Sequence, residues 1–199
     1  MKPLTESPGV LMCDRIGLAV GSDGGLLGLY LWMGRRFLGL NRGLVLVLTL
    51  GWSGWIWWHS SLRGGVAPDP NFAWGWFTNL GHAPAFAFVA LGLLTSALQI
   101  EERRLGPSKS LPQLRPAIAA GVLAVTITYG ALDEYHQSFV YGRTATLLDL
   151  TTDSCGAISV VWVGAYLLRP RATSWGLAVR LMLGSLACIL SALLATLWD

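Results

Sequence analysis

Apolar residues along this chain gather into long unbroken runs rather than alternating faces, and five runs approach the length of a membrane-crossing helix. Such a helix needs about 20 mostly apolar residues, at about 1.5 Å of rise each. The runs cover about 44–59, 79–99, 117–132, 147–168 and 175–198, with each boundary placed to about 2–4 residues. The third is compatible with a helix that continues through Gln137. Polar and helix-breaking residues punctuate them. His59-Ser60-Ser61-Leu62-Arg63 closes the first run, and Gly64, Gly65, Pro68 and Pro70 follow. The loop as far as Thr78, with Trp74 and Trp76, is expected to lie against the membrane interface. A charged loop over 101–116 contains Pro107, Pro112 and Pro116, and Arg169-Pro170-Arg171 makes a short basic turn. The pattern predicts an all-α, polytopic transmembrane helical bundle of about five spans.

Residues 1–42 read differently. Ile16 to Met33 is apolar but broken by Gly21-Ser22-Asp23-Gly24-Gly25. Aspartate is expensive at mid-bilayer, so a short interfacial or re-entrant element is expected there, ahead of Arg35, Arg36 and Arg42. The basic-then-apolar order of a cleavable signal is lacking, so none is expected. The division is an N-terminal cytoplasmic or interfacial segment, 1–42, and one bundle, 43–199, without repeats or linkers.

Composition sharpens the class. The chain is 53% hydrophobic and 13% charged, where a soluble domain carries about 25% charged residues. Trp52, Trp55, Trp57 and Trp58 crowd the end of the first run, and tryptophan collects at headgroup level. Cys13, Cys155 and Cys188 are odd in number and far apart, which argues against a disulfide framework or a thiolate metal site. Cys155 and Cys188 read as small core residues. The net charge of +3 comes with no basic, aromatic-interleaved patch, so no nucleic-acid partner is expected.

Counting Lys and Arg by side gives an orientation. Twelve fall on one side (Lys2, Arg15, Arg35, Arg36, Arg42, Arg103, Arg104, Lys109, Arg115, Arg169, Arg171 and, by snorkelling, Arg180), and Arg63 and Arg143 on the other. The N-terminus is therefore expected in the cytoplasm, with the chain multi-pass in the inner, cytoplasmic membrane. His59, His82, Asp133 to Gln137, Asp149 and Asp153 then share the outer face.

Polar groups at the edge of hydrocarbon are costly, which makes them candidates for function. The densest stretch is Asp133-Glu134-Tyr135-His136-Gln137-Ser138-Phe139-Val140-Tyr141-Gly142-Arg143, followed by Asp149 and Asp153. On a continued third helix, Asp133, His136 and Gln137 share a face, while Glu134 turns toward the following loop. Asp149, Asp153 and Gly156 form a second stripe that faces the bundle, with Asp149 in the first turn, where the positive helix end favours a carboxylate. Gly156 and Ala157 are expected to contact the third helix, because small residues let helices approach closely in lipid.

Three chemistries suit this set. His82 or His136 with Glu134 or Asp149 could do acid–base work. Gln137, Arg143 and Asp153 could hold a substrate, Arg143 gripping a phosphate by its two-pronged guanidinium. Histidines with carboxylates could also bind metal, but there is neither a His-Glu-x-x-His helix nor a cysteine pair, so no metal or other cofactor is expected. His59 reads as an interfacial side chain among tryptophans. The bland alternative is a polar network that caps helices and pins their loop.

The stretch from Asp133 through Asp149, with Asp153-Ser154-Cys155-Gly156-Ala157 after it, resembles the signature of the VanZ-like family. Ser60-Ser61-Leu62 and Asn79-Leu80-Gly81-His82 resemble that family's other motifs, and the resemblance covers about 44–168. It carries over to His82, Glu134, His136, Gln137, Arg143, Asp149, Asp153 and Gly156. The family commonly has Asp-Lys where this chain has Asn79-Leu80, a Tyr near Phe86 and a Pro near Tyr141. The resemblance implies a bacterial multi-pass membrane protein of the cell envelope; the founding member is associated with low-level teicoplanin resistance. It brings no established reaction, and a fold alone does not assign one. Three readings stay open: a site that binds or processes a polar lipid or cell-wall-precursor headgroup, a membrane hydrolase or transferase, and a non-catalytic subunit that binds another membrane protein.

Overall fold

The computed structural model describes residues 25–62, 72–105, 114–143, 145–169 and 171–198. Among them are six α-helices and no strand: α1 (Leu26–Leu38), α2 (Arg42–Ser60), α3 (Phe72–Leu105), α4 (Pro116–Gln137), α5 (Leu147–Leu167) and α6 (Ser174–Trp198). The last five follow the five apolar runs. Their starts have local causes. Asn41 Oδ1 accepts the Gly43 N–H at 2.8 Å, and Pro116 opens α4, where the N–H it lacks would have no helical partner. Thr146 caps α5 by accepting the Asp149 N–H at 3.2 Å.

α1 and α2 are bent by 100° at their junction. Gln99 of α3 holds that junction, donating to the carbonyls of Leu38 at 3.0 Å and Leu40 at 3.1 Å. Of the interfacial or re-entrant segment expected for 16–33, residues 16–24 lie outside the described residues and 26–33 form the first part of α1.

The structure corrects the sequence reading of α3. This helix begins at Phe72, so Trp74 and Trp76 are helical rather than part of a loop. From Phe72 to Ala83 only Gly75 and Gly81 weaken helical continuity, and aromatic residues there mark a helix face as readily as an interface. His82 therefore stands well inside α3, and Pro84 is internal, where its ring removes the hydrogen bond to the Leu80 carbonyl. At 34 residues, α3 runs about 51 Å, against about 30 Å of hydrocarbon, so it tilts or projects. Its far end is pinned to the start of α4 by Arg115 Nη1 on Glu101 Oε1 at 3.0 Å.

α3, α4 and α6 are long and apolar enough to cross a membrane, and the bent pair α1–α2 makes a fourth span if counted as one. The sequence reading had about five. The difference lies in α2, whose tryptophans lower its hydropathy, and in α5, which carries Asp149, Asp153 and several hydroxyls. Yet α5 is packed on α3, α4 and α6, with Ala157 fully buried. Large apolar side chains such as Leu50, Val125, Leu194 and Leu197 face outward on the surrounding helices. Water would penalise such a surface and lipid does not. The bundle is an integral membrane protein.

Glycines set the close contacts around α5. A Cβ built on Gly156 would collide with the Ala83 backbone, lying 2.8 Å from its carbonyl carbon. Gly156 thus meets α3, not the helix after it as the sequence reading had it. The α4 contact is made instead by Gly130, whose Cβ would lie 3.1 Å from both Asp153 Oδ2 and Leu150 Cδ1. Helical periodicity fixes which residues share a face but not which neighbour that face meets.

Candidate functional site

The polar residues singled out above converge at one end of the bundle, where α2 and α4 end and α5 begins, with the N-terminal third of α3 beside them. Four carboxylates are buried there: Asp133 is 0% exposed, Asp153 1%, Asp149 5% and Glu134 8%. Holding so many acids away from water requires compensation at each oxygen. Asp133 Oδ2 accepts from Ser60 Oγ at 2.8 Å and Gln137 Nε2 at 2.9 Å. Gln137 Nε2 also lies 3.5 Å from Glu134 Oε1. Glu134 Oε2 accepts the Thr146 N–H at 3.1 Å, which joins it to the following loop as the sequence reading expected. Asp149 Oδ2 accepts from Thr146 Oγ1 at 2.8 Å. Asp153 Oδ1 lies 3.1 Å from His82 Nδ1. Asp133 Oδ1 and Asp153 Oδ2, both buried, have no hydrogen-bond partner among the described residues.

His82, Glu134 and Asp153 come from three different helices, yet each offers a donor atom within 4.8 Å of the others'. The His82 side chain is 22% exposed, so the cluster opens outward through it. The three histidines do not meet. His136 stacks on Trp57, ring centroids 4.3 Å apart, with Nε2 2.9 Å from Ser61 Oγ. His59 is exposed against the Trp55 ring at 5.4 Å, in keeping with its reading as an interfacial side chain.

Arg143 turns to α2. Its Nη2 donates to the His59 carbonyl at 2.9 Å and its Nε to the Leu62 carbonyl at 3.3 Å. A cation over the last carbonyls of a helix neutralises the negative end of the dipole. No arginine or lysine pairs with Asp133, Glu134 or Asp153 among the described residues. Two hydroxyls of the motif are engaged locally: Ser138 Oγ donates to the Tyr135 carbonyl and Ser154 Oγ to the Leu150 carbonyl. A proton can pass between His82 and Asp153, and Ser61 Oγ against His136 Nε2 is a hydroxyl–imidazole contact as well.

Two features escaped the sequence reading. Asp133 and Ser60, which link α4 to α2 at the heart of the cluster, were quoted in motifs but given no role. Beside the cluster lies an apolar cavity of about 500 Å³ between α1, α3, α5 and α6. Its α3 wall includes Leu80, Ala83, Ala87, Leu91, Leu94 and Leu98, a stripe at steps of three and four, with Pro84 and Thr95 beside it. That spacing was visible in the sequence, but every face of an apolar helix shows one.

A model of the VanZ/LLP1 family matches residues 44–169. No curated protein and no solved structure matched the chain. The matched stretch is well over half of the chain, takes in α2 to α5 and contains every member of the cluster, so the chain belongs to the VanZ/LLP1 family.

Proposed function

We propose that this VanZ/LLP1 protein binds an envelope lipid, taking the polar headgroup of a lipid or lipid-linked cell-wall precursor at the His82–Asp153 cluster and a hydrocarbon tail in the adjoining cavity. The observation that carries this reading is the closeness of the cluster and the cavity along the same two helices, α3 and α5. Leu80 and Ala83 line one end of the cavity, His82 stands between them on α3, and Gly156 of the cavity lies one turn past Asp153 on α5. A polar cluster within a helical turn of an apolar cavity suits an amphipathic ligand. From Leu80 to Leu98 the cavity wall runs about 27 Å along α3, close to the depth of a bilayer's hydrocarbon. With Arg143 on the α2 carbonyls, the acidic cluster rather than the arginine supplies the headgroup contacts.

The Lys and Arg asymmetry supports a cytoplasmic N-terminus and a cluster on the outer face of the cytoplasmic membrane. On a background without native cysteines, an impermeant thiol reagent applied to intact cells is expected to label a cysteine at position 64 and spare one at 108. The reverse pattern would place the cluster inside.

Ala87→Trp tests the ligand. An indole there fills the cavity midway along α3, and the purified variant is expected to lose at least nine-tenths of the lipid that the wild type retains in native mass spectra. Equal retention by a folded variant would remove the cavity from the account. A helix-locking role for the same residues, favoured by the Ser60–Asp133 and Thr146–Glu134 bonds, predicts that equal retention.

A further inference from the structure

We infer that His82, Glu134 and Asp153 form a binding site for one divalent transition-metal cation of the kind that accepts mixed nitrogen and oxygen ligands, such as Mn²⁺ or Zn²⁺. The site uses the same cluster as the headgroup reading but does not depend on it.

Geometry comes first. One imidazole and two carboxylates offer donor atoms no more than 4.8 Å apart. Donors around one tetrahedral ion, at about 2.0–2.2 Å from it, stand about 3.4 Å from one another. The His82–Asp153 edge, at 3.1 Å, already meets that spacing, and Glu134 has a flexible side chain with which to close the rest. Asp153 supplies a second observation. Its Oδ2 has no hydrogen-bond partner although the residue is 1% exposed. That oxygen faces α4 at Gly130, one helical turn before Glu134. A buried carboxylate oxygen is rarely left without a partner, and a cation beside Asp153 would supply one.

Charge points the same way. Asp133 and Asp149 are buried beside Glu134 and Asp153, and no lysine or arginine pairs with Asp133, Glu134 or Asp153 among the described residues. Buried carboxylates are tolerated when they are paired, protonated or coordinate a metal. A dication answers two of the negative charges at once. Three protein ligands leave at least one coordination position open, the arrangement of a working rather than a structural metal. His82 itself is 22% exposed, so the cluster is not fully enclosed by protein. No local sequence motif announces the site, because its ligands come from α3, α4 and α5.

The test uses the full chain, purified in detergent and stripped with a chelator, and the metal alone. Mn²⁺ titration followed by electron paramagnetic resonance is expected to show one saturable site, with pulsed spectra reporting a single histidine nitrogen bound to Mn²⁺. Glu134→Gln and Asp153→Asn, both close in shape to the native residues, are each expected to weaken binding at least tenfold, while His59→Ala leaves it unchanged. Absence of saturable binding up to millimolar Mn²⁺ and Zn²⁺ would overturn the inference, as would a bound Mn²⁺ with no nitrogen coupling or an affinity unaffected by Asp153→Asn. The wild-type spectra decide the matter even if a variant fails to fold. Because the readout is the metal alone, failure here leaves the headgroup reading standing, and success does not establish it.

Discussion

Gly156→Leu is expected to destabilise the bundle by about 3 kcal/mol or more, at the upper end of what overpacking costs. The obstacle is backbone: even a Cβ meets the Ala83 carbonyl, so no rotamer relieves it and α3 must move away from α5. Gly156→Ala should already show a large part of the loss. Gly51 provides the control, since a Cβ there meets nothing within 4 Å; Gly51→Ala should be neutral or slightly stabilising through helix propensity. Unfolding midpoints in mixed micelles titrated with a denaturing detergent would rank the variants. Equal midpoints for Gly156→Leu and the wild type would mean that α3 and α5 do not approach as described.

His82→Leu should be nearly as damaging, by a different route. It removes the partner of Asp153 Oδ1, and Oδ2 already lacks one. Deleting one member of a buried pair and leaving the other costs about 3–5 kcal/mol. Adding Asp153→Val removes the stranded charge and fills the space with a side chain of similar volume. That double variant should regain stability to within about 1 kcal/mol of the wild type, or exceed it, because apolar replacements of buried pairs often do. A cluster whose removal leaves the fold intact is present for something other than the fold. If the double variant is as unstable as the single one, the pair is a lock between α3 and α5.

Much of this architecture could be read from the chain. Five runs became α2 to α6, and the continuation through Gln137 was open to view because no breaker intervenes. Glu134 met its loop through Thr146, and Asp149 and Asp153 turned inward, because acids on an otherwise apolar helix have nowhere else to go. Relations between helices were not legible. The partner of Gly156 depends on which helix lies beside α5, and the His82–Glu134–Asp153 set depends on three helices at once. Arg143 shows a chemical limit: the guanidinium fork suits a phosphate, but it also donates to carbonyls at and just beyond a helix end, and sequence does not say which is nearer. The start of α3 was missed because Trp74, Trp76 and Phe77 carry the same signal whether a helix or a loop presents them to the headgroups.

The central claim is that the buried cluster recognises a ligand whose tail lies in the cavity, and native mass spectrometry of the His82→Leu/Asp153→Val protein tests it most directly. Released from the same membranes as the wild type, the folded double variant is expected to keep hydrocarbon in its cavity but to lose the defined headgroup masses that the wild type carries. A folded double variant holding the same lipids in the same proportions would contradict the account.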